Sequence, residues 1–137
     1  MTPARRIRRV RYGRDRRNQW GHLHLPVTPG PHPVAVVLHG GFWRGIWNLR
    51  LTEKVSADLA VRGWAAFNVE YRRTGRLGGG GWPNTFLDVA AAVDQTATIA
   101  GEHDLDLNRV VTIGHSAGGH LALWAAGRST LPDGAPG

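Results

Sequence analysis

A serine between glycines gives the strongest chemical signal in the sequence. Ser116 is the centre of a G-x-S-x-G pattern at 114–118, directly after the apolar run 110–113 and before a small-residue helix pattern. A serine hydroxyl is a weak nucleophile, so enzymes that use one hold it on a strained strand-to-helix turn that faces oxyanion donors. The flanking glycines make such a turn sterically possible. The pattern therefore predicts Ser116 as a nucleophile, with the backbone N–H of Ala117 as one donor.

A second motif, His39-Gly40-Gly41-Phe42-Trp43, follows the apolar run 34–38. Ligands of open α/β sheets bind at the carboxyl ends of the strands, so this motif and Ser116 are expected to share one site. Adjacent glycines let backbone N–H groups turn toward a substrate oxygen, and such donors each stabilise a developing oxyanion by roughly 3–4 kcal/mol. Together with Ala117, the motif predicts a complete oxyanion hole.

The base that would take the serine proton is not identified in the sequence. In the fold that carries this motif, the orienting acid and the histidine base follow the nucleophile along the chain. Only the short segment 128–137 follows the helix after Ser116, and it has the composition of a loop. We therefore expect the base and the acid to lie outside these 137 residues.

The elements that must position these motifs alternate along the chain. Strands are predicted over 6–12, 19–25, 34–38, 64–69 and 109–113, and helices over 49–62, 83–100 and 117–126. The segments 28–33, 72–82 and 102–108 are expected to be loops, the second with a glycine run at 78–81 and the third acidic. From residue 34 onward the order is βαβαβα, which favours a parallel sheet with helices on its faces.

The pair of motifs, H-G-G-x-W at 39–43 followed by G-x-S-x-G at 114–118, resembles the α/β-hydrolase superfamily. The resemblance is to the esterase branch that includes carboxylesterase-like proteins and kynurenine formamidases, and it covers nearly the whole chain. It implies an α/β-hydrolase fold with a mostly parallel sheet, of which residues 1–137 form the N-terminal part and which is truncated after the nucleophile helix. It also implies hydrolysis of a small-molecule ester or amide without a cofactor.

Carried over residue by residue, the resemblance makes Ser116 the nucleophile that forms an acyl-enzyme. Ala117 and the backbone of Gly40, Gly41 and Phe42 become the oxyanion donors, and His39 shapes that loop. The later acid and base of the family have no counterpart here. Strand 109–113 would then be an exposed apolar edge, so we expect the chain alone to be poorly soluble and to show at most trace esterase activity.

Other residues that could bind or catalyse have ordinary structural explanations, and no metal site is predicted. His115 and His120 flank the serine but are not expected to be the base. His22 and His24 have a spacing that can hold a metal, yet no third ligand is evident, so a half-exposed strand is favoured. The polar run 102–106 is interpreted as a solvated loop.

Two acidic and three aromatic residues also need an assignment. Asp88 and Asp94 are expected to face solvent or to cap local backbone. Trp43, Trp47 and Trp82 suit either a substrate pocket or the core. The glycine run lacks the G-K-[ST] of a phosphate cradle, which argues against a nucleotide site.

Composition limits the remaining classes. Cysteine is absent, so no disulfide or thiolate site is possible, and neither a membrane span nor an export signal is evident. A soluble, cytoplasmic protein is expected. The net charge of +7 arises entirely within 5–17, where eight arginines accompany one aspartate. This segment suits a solvated edge strand better than a nucleic-acid-binding arm.

Two alternatives to an enzyme stay open at this point. One is a binding module that keeps the hydrolase fold without catalysis. The other, less favoured, is a nucleic-acid binder that uses the arginine-rich segment. The sequence does not indicate the acyl group, the leaving group or the oligomeric state.

Overall fold

The computed structural model describes residues 5–137, and its centre is one five-stranded sheet. The strands are β1 (Arg5–Arg11), β2 (Trp20–Pro26), β3 (His32–Leu38), β4 (Ala65–Val69) and β5 (Leu105–Gly114). Their order across the sheet is β1-β2-β4-β3-β5. β3 pairs in parallel with β4 and β5, as predicted, whereas β2 is antiparallel to both of its neighbours.

Helices cover both faces of the sheet. They are α1 (Glu53–Val61), α2 (Asn84–His103) and α3 (Ala117–Ala126), with short 3-10 turns at Leu49–Thr52 and Arg128–Thr130. Alternate residues of β3 point to opposite faces. Val36 packs in the larger core with Val89 of α2 and Leu121 of α3, whereas Val37 packs with Leu59 of α1. The predicted layers are therefore confirmed.

The prediction of an acidic loop over 102–108 is wrong. α2 continues to His103 and β5 begins at Leu105, so only Asp104 separates them. Asp104 has a φ of 54°, a left-handed conformation that aspartate tolerates better than most residues. The first half of β5 is polar because it lies at a sheet edge, where little is buried, and this polarity imitates a loop.

The expectation that Asp88 faces solvent is also wrong. Its side chain is 1% exposed and accepts hydrogen bonds from the backbone N–H of Arg72 at 2.8 Å and from Nε2 of Gln19 at 2.8 Å. The Arg72 guanidinium also pairs with it, at 2.8 Å from Nη2 to Oδ1. Asp94 does face solvent, where it pairs with Arg128. Asp88 therefore joins α2 to the residue that precedes β2 and to the segment after β4.

Both outer strands have the character expected from the sequence. β5 pairs only with β3 among the described residues, and Val111 on this edge strand is 41% exposed. Leu123 of the neighbouring helix α3 is 76% exposed. β1 forms the opposite edge, and its arginines at positions 6, 8, 9 and 11 are exposed. Within residues 5–137, no helix is both long enough and apolar enough to cross a bilayer.

Candidate active site

Ser116 occupies the sharp turn between β5 and α3. It is exposed, and its backbone has φ 56° and ψ −121°. A positive φ is uncommon for a residue with a side chain, and it is retained where the surrounding structure enforces it. The turn directs Ser116 to the carboxyl edge of the sheet, as the G-x-S-x-G pattern predicts.

Both glycines of the motif are required by close backbone packing. A Cβ placed on Gly118 would lie 2.1 Å from the carbonyl oxygen of Leu38, and one placed on Gly114 would lie 2.0 Å from that of Gly118. Real Cβ atoms essentially never approach other atoms so closely. The absence of a side chain at Gly118 therefore lets the turn pack against the end of β3, and its absence at Gly114 lets the end of β5 pack against the start of α3.

The loop at 40–43 lies directly against the serine turn. A Cβ on Gly40 would be 2.5 Å from the carbonyl oxygen of His115 and 3.1 Å from Cβ of Ser116. Gly41, Phe42 and Trp43 follow with φ values of 117°, 54° and 58°. Three consecutive residues in the left-handed region turn the backbone sharply at this point. The structure thus brings together the predicted residues of both motifs.

His39 holds this loop from the buried side. Its ring is 1% exposed, with Nδ1 donating to the carbonyl oxygen of Gly40 at 2.8 Å and Nε2 lying 2.8 Å from Oε1 of Glu70. The ring stacks on Tyr71 at 4.4 Å between centroids, and the Tyr71 hydroxyl donates to the His39 carbonyl at 2.6 Å. His39 therefore has both ring nitrogens engaged within the fold.

Glu70 extends this support in other directions. It accepts from the backbone N–H of Leu49 at 3.2 Å and lies 3.2 Å from Nη1 of Arg73, which in turn donates from Nη2 to Asn18 at 2.7 Å. Its backbone carbonyl accepts from the Tyr12 hydroxyl at 2.5 Å. Burial, followed by the charge of nearby carboxylates, raises the pKa of both tyrosines. This network was not predicted from the sequence. The charged residues Glu70, Arg72 and Arg73 directly after the mostly apolar run 65–69 could have indicated a buried polar cluster at the end of this strand.

An aromatic cavity of about 240 Å³ lies beside the loop. Phe42, Trp43, Trp82 and Phe86 line it together with Thr74, Gly81 and Thr85. The ring of His120 contacts both Trp43 and Phe86, edge to face at 5.8 Å. Two of the three tryptophans considered from sequence thus line a cavity, while Trp47 lies outside its lining.

No base is in place beside the serine. Within residues 5–137, the Ser116 hydroxyl makes no hydrogen bond to a histidine ring or a carboxylate. His115 is exposed on the turn, and His120 lies among the aromatic rings. The polar run at 102–106 is divided between α2 and β5, where the contact with Arg109 lowers the pKa of Asp106. The described residues thus bring Ser116 and the loop at 40–43 together, without a histidine ring or a carboxylate bonded to the serine hydroxyl.

The geometry agrees with comparisons to known proteins. The BD-FAE family model matches residues 23–132. Esterase LipC of Mycobacterium tuberculosis is 31% identical over 123 residues, which are 86% of this chain and 29% of that protein. The chain therefore spans less than a third of the length of this curated relative.

Solved structures show the same relationship. A bacterial heroin esterase superposes with a TM-score of 0.77 at 26% identity, covering 93% of this chain and 41% of the other. Esterase B from Lactobacillus rhamnosis gives a TM-score of 0.78 at 25% identity, covering 92% and 40%. The sheet, helices and serine turn define an α/β-hydrolase fold. The chain belongs to the BD-FAE family of that fold.

Proposed function

We propose that this chain is the nucleophile-bearing part of a serine hydrolase that cleaves ester or amide bonds through an acyl-enzyme on Ser116. The observation that carries the proposal is the contact between the strained serine turn and the loop at 40–43, with a Cβ on Gly40 only 3.1 Å from Cβ of Ser116. A nucleophile and convergent backbone donors at one sheet edge are the arrangement that acyl transfer requires. The esterases among its relatives support the same class.

In the proposed reaction, the Ser116 oxygen attacks the substrate carbonyl carbon while its proton passes to a histidine. The carbonyl oxygen becomes an oxyanion that accepts hydrogen bonds from the N–H of Ala117 and from the Gly40, Gly41 and Phe42 backbone. Collapse breaks the bond to the leaving group, which takes the proton from the histidine. A water molecule then attacks the acyl-enzyme carbonyl carbon while the same histidine takes its proton. The bond to the Ser116 oxygen breaks, the histidine returns the proton to that oxygen, and the acid leaves. No cofactor is needed.

We further propose that the catalytic histidine and the acid that orients it belong to a segment of the protein that follows residue 137. The relatives are longer than this chain, and 29% coverage of LipC leaves ample length for later strands. The exposed strand β5 offers the edge on which such strands would pair. The 137 residues alone are then expected to be poorly soluble and to hydrolyse esters at trace rates.

The substrate is proposed to be a small ester or amide whose group fits the aromatic cavity. A cavity of about 240 Å³ is below the size that holds a drug-sized ligand. Its lining by Phe42, Trp43, Trp82 and Phe86 favours an apolar group. A series of p-nitrophenyl esters of rising chain length tests this, and short acyl groups should give the highest kcat/KM.

The hydrolase proposal is tested by comparing two proteins. One is the 137-residue chain, and the other is the protein encoded by the reading frame continued past residue 137, each with a Ser116→Ala variant. The longer protein should hydrolyse p-nitrophenyl acetate and lose that activity in the variant, whereas the short chain should be nearly inactive. Robust hydrolysis by the short chain, or a reading frame that supplies no later Asp or Glu and His, would contradict the proposal.

The competing function is a binding module without catalysis. This alternative is also compatible with a Ser116 hydroxyl that has no hydrogen-bond partner among residues 5–137. A fluorophosphonate probe distinguishes the two, because only a serine activated by a base is phosphonylated. The longer protein should be labelled at Ser116. An intact, folded longer protein that stays unlabelled would indicate the binding module.

A cytoplasmic location is also proposed, because a chain without cysteine suits a reducing compartment. Fractionation of the source cells, followed by detection of the protein, tests this. Recovery in an exported or membrane fraction would contradict it.

A further inference from the structure

Two histidines and a glutamate meet on the sheet face that carries α1. His22 and His24 are two residues apart on β2, so both point to one face, while the intervening Leu23 packs in the core on the other. Glu53, the first residue of α1, lies between them. The sequence-based premise that no third ligand is near is therefore wrong, because the third group comes from a helix that follows 29 positions later.

The three side chains are close enough to hold one ion. Nδ1 of His22 lies 3.5 Å from Oε2 of Glu53, and Nε2 of His24 lies 3.1 Å from Oε1. One ligand atom from each residue falls within 4.8 Å of the others. Ligands about 2.1 Å from a tetrahedral Zn²⁺ are separated by roughly 3.4 Å, so these positions need little adjustment.

The carboxylate between the histidines is held in place by a buried amide. Nδ2 of Asn68 donates to Oε2 of Glu53 at 2.9 Å, and Oδ1 of Asn68 accepts from the Thr52 hydroxyl at 2.6 Å. Asn68 is fully buried on β4, the strand next to β2. Partners of this kind orient the ligands of metal sites and strengthen binding.

One of the three side chains is buried and two are partly exposed, as expected for a metal site that is open to solvent on one side. The His24 side chain is fully buried, whereas His22 and Glu53 are about one-third exposed, at 32% and 31%. His22 and Glu53 line a cleft of about 760 Å³, which leaves room for water or another small ligand on the ion. A metal would therefore be bound by the protein on one side and reachable from solvent on the other.

We propose that His22, His24 and Glu53 form a binding site for a divalent transition-metal ion, with Zn²⁺ as the best match. Two imidazoles and one carboxylate suit Zn²⁺, whereas Mg²⁺ and Ca²⁺ prefer oxygen ligands alone. The ion joins β2 to α1. β2 is three strands from β5, a distance of about 14 Å across the sheet, so the metal site is separate from Ser116. The ion stabilises the packing of α1 against β2.

Cationic side chains around the cleft limit the expected affinity. Arg9, Arg17, Arg50 and Arg73 line the same cleft. Arg73 is neutralised by Glu70 at 3.2 Å, and Arg9 stacks on the Trp20 ring at 3.9 Å. The remaining positive charge repels a divalent ion, so we expect weaker binding than at closed structural zinc sites.

Equilibrium dialysis tests the site directly. The 137-residue chain is produced on a soluble carrier without a polyhistidine tag, stripped with chelator and dialysed against Zn²⁺, with the carrier alone as the blank. One ion per chain is expected. Co²⁺ in place of Zn²⁺ should give the visible absorption of a low-coordinate site with nitrogen ligands.

Matched variants separate this site from nonspecific binding. His22→Ala and Glu53→Gln alter partly exposed ligands and should each weaken Zn²⁺ binding at least about tenfold. His103→Ala changes another histidine beside a glutamate, 3.8 Å from Glu102, and should leave binding unchanged. Circular dichroism of each fusion, with the spectrum of the carrier alone subtracted, confirms that the 137-residue chain is folded. A folded chain that binds no Zn²⁺, or variants at 22 and 53 that bind as tightly as the control, would overturn the proposal.

Discussion

Nε2 of His39 lies 2.8 Å from Oε1 of Glu70, and both side chains are almost fully buried. This contact holds the imidazole ring of His39 in place, and that ring in turn donates to the Gly40 carbonyl at the start of the loop at 40–43. The loop at 40–43 is thus held by groups that are themselves buried beneath it. The conformation of the loop should therefore depend on Glu70.

Replacing Glu70 tests this dependence. Glu70→Gln removes the negative charge that faces His39 and Arg73, so the Arg73 guanidinium stays buried without a counter-charge. Breaking a buried charged pair costs about 3–5 kcal/mol, so the free energy of unfolding should fall by that amount. Urea denaturation measures it. Glu102→Gln, at an exposed glutamate, is the control, and an equal change in both would contradict the assigned role.

The two helical glycines Gly118 and Gly101 should respond in opposite directions to alanine. In Gly118→Ala the new Cβ would lie 2.1 Å from the Leu38 carbonyl oxygen, so α3 must move away from β3 and the fold should be strongly destabilised. In Gly101→Ala nothing lies within 4 Å of the new Cβ, and the helix should gain about 0.5–1 kcal/mol. Thermal unfolding of the two variants checks this, and a tolerated Gly118→Ala would show that the serine turn is not packed as described.

Asp88 and Asp94 offer a second matched pair on α2. Asp88→Asn weakens a buried ion pair with Arg72, whose own side chain is 25% exposed, so we expect a loss of about 2–3 kcal/mol after solvent screening. Asp94→Asn alters an exposed pair with Arg128 and should change stability by less than about 1 kcal/mol. Chemical denaturation gives both values. Equal losses would mean that the burial of Asp88 has no energetic consequence.

The tyrosines predict how stability depends on alkaline pH. Tyr12 and Tyr71 are the only tyrosines, and burial raises the pKa of each above the ordinary 10.0. The folded protein therefore holds these protons more tightly than the unfolded chain. This stabilisation is complete below pH 10.0 and is lost as the pH rises above it.

An absorbance titration measures the effect. Tyrosinate should form only well above pH 10.0, together with loss of the circular dichroism signal. A guanidinium-unfolded sample is the control and should titrate near the ordinary value. Ionisation of either tyrosine near pH 10.0 in a protein that remains folded would contradict the structure.

Much of the fold follows from local sequence signals. The buried runs at 34–38 and 64–69 predict central strands because a strand covered on both faces must be apolar. The G-x-S-x-G and H-G-G-x-W motifs locate the serine turn and its neighbouring loop because the close approach there excludes side chains. These features can be predicted from the sequence because one short segment determines each of them.

The features that the sequence did not reveal depend on distant residues. The third group near His22 and His24 comes from the start of α1, and no spacing rule connects β2 with that helix. Asp88 is buried because Arg72 and Gln19 approach it from two other segments. The polar start of β5 resembles a loop because an edge strand buries little surface.

The central claim is that Ser116 is the nucleophile, and peptide mapping after fluorophosphonate treatment tests it most directly. The protein continued past residue 137 is treated with the probe, digested and analysed by mass spectrometry, beside its Ser116→Ala and Ser129→Ala variants. We predict one phosphonyl group, on Ser116, that is absent from Ser116→Ala and unchanged in Ser129→Ala. Labelling at another residue, or ester hydrolysis that survives in Ser116→Ala, would contradict the claim.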